Sequence, residues 1–259
     1  MMNEPLKIAI LGLGEAGSRF ANDLAEMGVT VTGYDPNPVR ELHPSVTLAS
    51  SNAEAAKDAE VIFSVNLSSV SEEVAQDIFP VLKNTQFFLE MNTSSPDKKK
   101  KIDMILKPTG VQFIDLAIMA PVPPKGIKTP FLAAGEDVFA FLEKMKPLKL
   151  DLSLVENGKV GDAATMKLLR SIVYKGVAAV ICEAVEAGDA FGMPEYIRKQ
   201  ISSIIGGNDD LIDRFVEGSK THALRRMHEM EAVIEMLEER NLDPIVTRAT
   251  RDNLAKLMN

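Results

Sequence analysis

The stretch Lys7-Ile-Ala-Ile-Leu-Gly-Leu-Gly-Glu-Ala-Gly17 decides how the N-terminal half reads. Lys7 to Leu11 is a short apolar run of strand type, and Ala16 to Met27 carries a helical pattern ended by Gly28. Between them lies a Gly-x-Gly-x-x-Gly turn at Gly12, Gly14 and Gly17, with Leu13, Glu15 and Ala16 in the intervening positions. The residue types suit a dinucleotide. Gly12 permits the tight turn, Gly14 lets a pyrophosphate approach the backbone, and Gly17 allows the helix to pack close to the strand. The helix start then offers unpaired N–H groups and a partial positive charge to the phosphates. A glycine-rich turn without a ligand is the plainer reading. The position directly after a strand, at the start of a helix and within a βαβ-sized unit favours the dinucleotide.

Asp35 closes the next strand, Val29 to Tyr34, where a carboxylate accepts hydrogen bonds from a ribose diol and repels a 2′-phosphate. NAD is therefore the expected cofactor, and nearby Arg40 keeps NADP open. Asp35-Pro-Asn-Pro38 is also a strong turn signal in its own right.

Working outward, short apolar runs continue at Val46–Leu48, Glu60–Val65, Gln86–Met91, Phe113–Ile118, Phe131–Ala134 and Asp151–Val155. Helical patterns at Val70–Leu82 and Val138–Met145 separate some of them, the mark of a parallel sheet with crossover helices. After Asn157-Gly158 only helical patterns follow, through about 160–191, 194–206, 209–218, 222–240 and 244–258. The expected fold is α/β: an N-terminal Rossmann-type doubly wound sheet over 1–157, then an all-α domain over 158–259 joined through a long interdomain helix. Val65 and Asn66 at the end of the fourth strand, and Asn92 and Thr93 after the fifth, lie where open sheets of this kind bind ligands, and are further cofactor candidates.

Composition excludes several classes. With 46% hydrophobic and 25% charged residues among 259, the chain is of ordinary globular make-up. No apolar run reaches the roughly 18 to 20 residues of a membrane span, and no signal-like segment opens the chain. A net charge of −8 argues against nucleic acid as a partner. The one basic run, Lys98 to Lys101, has Asp97 and Asp103 beside it and reads as a solvated helix face. The single cysteine, Cys182, cannot form an internal disulfide, so a reducing, cytoplasmic setting is expected. No His, Cys, Asp and Glu grouping has metal-ligand spacing, and no metal is expected.

The first helix of the C-terminal half carries Lys167, Arg170, Ser171, Tyr174 and Lys175 at i, i+3, i+4, i+7 and i+8, on one face. Leu169, Ile172, Val173 and Val180 occupy the other side. The stripe contains no Asp or Glu, and reads equally as the wall of a site and as a solvated surface. As a wall it would hold an anionic substrate, and burial beside Arg170 and Lys175 would lower the pKa of Lys167 enough for proton exchange. His222 and Arg226, four apart near the start of a later helix, are a second such pair, readable as substrate contacts or as surface charge.

Several strings together make the chain resemble the β-hydroxyacid dehydrogenase superfamily, the relatives of 6-phosphogluconate and 3-hydroxyisobutyrate dehydrogenases. Lys7 to Gly17 is similar to the family's fingerprint. Asn92-Thr-Ser-Ser-Pro96 resembles the Ser-Thr-x-Ser-Pro loop beside the nicotinamide, and Gly161-Asp-Ala-Ala-Thr-Met-Lys167 resembles the motif that ends in the catalytic lysine. The resemblance implies hydride transfer between nicotinamide and a small hydroxy acid, alcohol or amine, with Lys167 as general acid/base, and a homodimer built by the helical domain. Two places depart from the family. Its carboxylate-gripping Ser-Gly-Gly is replaced here by Met119, Ala120 and Pro121, which become the substrate-loop candidates, and its asparagine four residues after the lysine is Ser171. Gly14–Gly17, Ala120–Pro130, Tyr174-Lys175-Gly176 and His222–Arg226 resemble one branch whose C-terminal domain is uncharacterised. The departures also admit a dinucleotide-binding sensor that lacks catalysis.

Overall fold

The computed structural model describes residues 4–38 and 40–258. Their fold divides into two compact units, one ending at Thr165 and one starting at Met166.

The first unit is built on one eight-stranded sheet of order β3-β2-β1-β4-β5-β6-β7-β8. The strands are β1 (Lys7–Leu11), β2 (Thr30–Tyr34), β3 (Thr47–Leu48), β4 (Val61–Ser64), β5 (Phe87–Glu90), β6 (Gln112–Ile118), β7 (Phe131–Ala134) and β8 (Leu152–Leu154). The helices are α1 (Glu15–Glu26), α2 (Asn52–Ala56), α3 (Ser71–Ile78), α4 (Pro96–Leu106) and α5 (Val138–Met145). Strand order reverses beside β1, the switch point at which doubly wound sheets open a crevice at their carboxyl ends.

Strand alternation sends successive side chains to opposite faces, and helices cover both. On one face Ile8, Ile10, Val31, Phe63 and Leu89 pack with Phe20 and Leu24 of α1 and Phe141 of α5. On the other, Ala9, Leu11, Ile62 and Phe88 pack with Val74 and Ile78 of α3 and Ile102 and Leu106 of α4. Phe20 meets Phe63 edge-on at 6.5 Å between centroids and Phe131 at 5.8 Å. Each such burial contributes roughly 1.5–3 kcal/mol.

The parallel pattern breaks at β7, which runs antiparallel to β6, and β8 follows β7 in the reversed direction. The segment between β6 and β7 contains four prolines and a single 3₁₀ turn rather than a crossover helix, so the chain turns back instead of returning to the other end.

The helices that follow are α6 (Asp162–Ala190), which begins in the first unit, α7 (Pro194–Ile204), α8 (Asp209–Thr221), α9 (Ala223–Glu238) and α10 (Ile245–Lys256). Within the second unit, Leu168 of α6 packs on Met230, Val233 and Met236 of α9 and Leu254 of α10. Further along α6, Ala178, Ile181 and Val185 pack on Ile201 of α7 and on Ile212 and Phe215 of α8. No described helix is long and apolar enough to cross a membrane.

Candidate active site

The glycine turn forms between β1 and α1. Gly12 sits at φ +100°, a left-handed conformation open to glycine, and a Cβ there would also strike the Val65 carbonyl. A Cβ on Gly17 would fall well inside contact distance of the Gly12 carbonyl oxygen, so the close helix–strand approach depends on its absence. Gly14 faces open space and is exposed, as is Glu15. The start of α1 receives no side-chain cap, which leaves its first N–H groups for a ligand. These features fit a dinucleotide pyrophosphate. Gly17→Ala is expected to weaken NADH binding at least tenfold and to lower stability by about 1–3 kcal/mol, the usual cost of overpacking. Fluorescence titration and urea unfolding check both.

Asp35 makes the turn that Asp35-Pro-Asn-Pro38 signals and also braces the glycine loop. Its Oδ1 accepts from the Asn37 N–H at 2.8 Å, which forms the turn, and its Oδ2 accepts from the Leu13 N–H at 2.8 Å. The carboxylate is thus fixed against the glycine loop, with lone pairs left over for a ribose.

At the carboxyl ends of β4 and β5 the polar side chains form a network. Asn66 donates to the Ser64 hydroxyl at 3.0 Å. Asn92 is buried, and its Nδ2 donates to Asn66 Oδ1 at 3.0 Å and to Glu90 Oε1 at 2.5 Å. Among the described residues its Oδ1 accepts no hydrogen bond. Val65, Asn66 and Thr93 are half-buried beside these ends. Met119 and Ala120 are half-buried and Pro121 is exposed, the Met119 N–H donating to the Pro130 carbonyl at 2.9 Å.

The basic run corrects the sequence reading. Lys98 reaches the Ser68 carbonyl, Lys100 pairs with Asp97 and Lys101 with Glu72, as expected of an outer face. Lys99 does not belong with them. It is 1% exposed, and its ammonium lies 2.5 Å from Glu90 Oε2 and 3.1 Å from Asp115 Oδ1. The signal was present: Lys99, Ile102 and Leu106 fall at i, i+3 and i+7, which puts the lysine on the apolar stripe of α4. Burial, which opposes its charge, is outweighed by Asp115 and Glu90, so its pKa is raised. Burial, despite Lys99, pushes that of Glu90 up.

In the second unit the stripe on α6 is drawn together by an acid from another helix. Glu229 of α9 lies 2.6 Å from the Lys175 ammonium and accepts a short hydrogen bond from Ser171. All three are buried. Lys175, Lys167 and the Ser171 hydroxyl overcome burial and hold the Glu229 carboxyl at about 2. For Lys175 burial wins over Glu229, and its pKa is lowered. Arg226 is 7% exposed, donates to Ser219 Oγ at 2.8 Å and stands 5.9 Å over the Tyr174 ring. Gly218 makes room for it, since a Cβ there would lie 2.7 Å from Nη2. Lys167 and His222 are half-buried and Arg170 is exposed. Glu229 is the acid that periodicity could not supply, because a neighbouring helix contributes it. Among the described residues no group of His, Cys, Asp and Glu could hold a metal ion.

A switch-point glycine turn, a fixed acid after β2 and a following helical unit define an NAD(P)-binding protein of the oxidoreductase class. Comparison with known proteins agrees. The family described as the NAD binding domain of 6-phosphogluconate dehydrogenase matches residues 7–123, and a domain of unknown function, DUF1932, matches 189–257. The two matches together support the β-hydroxyacid dehydrogenase superfamily, with a C-terminal helical domain. It is 24% identical to an uncharacterised 28.5 kDa protein of Methanothermus fervidus, over 95% of this chain and 97% of that one. It is 23% identical to 2-(hydroxymethyl)glutarate dehydrogenase of Eubacterium barkeri, over 79% and 71% of the two chains. The solved structure of Mycobacterium tuberculosis 3-hydroxyisobutyrate dehydrogenase with L-serine shares the fold, with a TM-score of 0.77 at 16% identity, over 97% of this chain and 93% of that one.

Proposed function

We propose that the protein is a dehydrogenase or reductase acting on a small anionic hydroxy acid or alcohol, or on the corresponding amine, with Lys167 as general acid/base. The observation that carries the reading is the buried set of Ser171, Lys175 and Glu229, on whose carboxylate Lys167 also acts. A solvated helix face would not bury a lysine and a glutamate as a pair. NAD(P), when bound along Gly12 to Gly17 with its ribose at Asp35, supplies or accepts the hydride. Asn66, Asn92 and Thr93 would position its nicotinamide end, and Asp35 favours NAD over NADP.

Lys167 would give a proton to the substrate oxygen or nitrogen in the reducing direction and take it back in the other. Arg226, Arg170 and His222 are the groups proposed to hold the substrate's anionic end, Arg226 through its planar fork. Lys175 has its charge already answered by Glu229, so its part is to set the wall of the site together with Ser171 and Tyr174. Met119, Ala120 and Pro121 would shape the substrate loop in place of a carboxylate-gripping serine and glycines.

The dimer belongs to the same reading. Leu169, Val173, Val177 and Val180 on the other face of α6 are exposed, as are Ile245 and Val246 of α10. A second copy would cover such a face. Titration with NADH and NADPH, followed by oxidation of the reduced cofactor on a panel of oxo-acids and imines, tests the activity. Turnover on a short oxo-acid or imine, with NADH the tighter ligand, is the expected result. Tight binding with no turnover on any compound would favour a sensor instead.

A further inference from the structure

Glu90 and Asp115 are register partners across β5 and β6, so the sheet itself sets two carboxylates side by side in its interior. Both are 0% exposed. Lys99 answers both at once: its ammonium donates to the Glu90 carbonyl at 2.7 Å and forms ion pairs with Glu90 Oε2 and Asp115 Oδ1. Among the described residues Glu90 Oε2 and Asp115 Oδ1 accept no hydrogen bond, so the Lys99 ion pair is what answers them. The second oxygen of each acid holds something different. Glu90 Oε1 takes the Asn92 amide, and Asp115 Oδ2 takes the N–H groups of Gly161 at 3.0 Å and Ala164 at 3.1 Å, where α6 starts.

We infer that Lys99 is a positioning residue, which through Glu90 orients the Asn92 amide at the cofactor end of the sheet and through Asp115 fixes the first turn of the helix that carries Lys167. Without the ammonium, two buried carboxylates repel, one takes a proton or turns away, and the groups held by their outer oxygens lose their anchors. Two acids against one lysine leave a net negative charge. The partly positive start of α6 offsets it on the Asp115 side, and the Asn92 amide does so on the Glu90 side. A strut needed for folding alone would call for neither outer contact. The inference rests on the proposed placing of the nicotinamide end near Asn92.

The test separates that placing from the role of Lys99 by comparing NADH with ADP-ribose, which has no nicotinamide. Glu90→Gln removes one buried charge, keeps the Lys99–Asp115 pair and preserves the shape. Glu90→Gln/Lys99→Met removes the ammonium without leaving two acids facing each other. ADP-ribose affinity is expected to stay within about twofold in both. NADH affinity is expected to fall about threefold in the single variant and tenfold or more in the double, with a shifted emission of bound NADH. Hydrogen exchange at the Gly161 and Ala164 amides should quicken at least tenfold in the double variant only. Unchanged NADH affinity, emission and exchange in a folded double variant would overturn the inference, and so would equal losses for both ligands. If ADP-ribose fails to bind the unaltered protein, the cofactor reading itself is wrong.

Discussion

Lys167→Ala is expected to leave NADH affinity within a few-fold while lowering kcat by roughly 10²- to 10⁴-fold, the usual contribution of a positioned acid/base. The expectation follows from where the residue stands. Lys167 belongs to the second unit, outside the glycine turn, Asp35 and the β5 loop, so its loss removes no proposed cofactor contact. It is one turn from Ser171 on α6, and its charge helps keep Glu229 ionised. The proton at the substrate heteroatom would then have to come from water. The readouts are fluorescence titration for binding and steady-state rates on whichever oxo-acid or imine the unaltered protein turns over. An equal fall in affinity and rate would reject the proton-transfer role, and added primary amines should restore part of the rate to the alanine variant.

Glu229→Gln is expected to cost about 3 kcal/mol near neutral pH, because it leaves the Lys175 ammonium buried without its counter-charge. The pH dependence has a definite sign. The carboxyl titrates near 4.5 when unfolded and at about 2 in the fold, where Lys175, Lys167 and Ser171 favour the ionised form over the penalty of burial. A depressed folded pKa contributes stability above the unfolded value, lost as the pH falls toward the folded one. The gap between the two proteins should therefore be full above about pH 5 and close progressively toward about pH 2. Lys175 sits at a cost on its own account, since burial lowers its pKa even with Glu229 beside it. Adding Lys175→Met to the glutamine variant should accordingly recover much of the loss. Urea unfolding across the acid range checks each statement, and a pH-independent gap would show that the carboxylate does not carry the effect.

The sequence was a good guide wherever one segment carries its own signal. The run Lys7–Leu11 and the α5 stretch Val138–Met145 coincide with the elements the structure contains. Gly12 and Gly17 announce themselves because their roles lie within one strand–turn–helix unit. The short helix α2 left no mark, having too few residues to display a period. The run Lys98–Lys101 misled because four adjacent cations look alike in one dimension, while helical geometry sends Lys99 inward and its neighbours out.

What the chain order determined, then, is the alternation of strand and helix, the phosphate turn, the acid after β2 and the stripe on α6. These depend on spacing over a few residues, and spacing is what a sequence records. The tertiary structure decided which charges meet. Glu90 and Asp115 become neighbours through strand register, Lys99 joins them from α4, and Glu229 reaches Lys175 from a helix more than fifty residues away. The physical reason is that a buried charge is tolerated only beside its partner. That partner is chosen by packing between elements, and no periodicity along one of them encodes it.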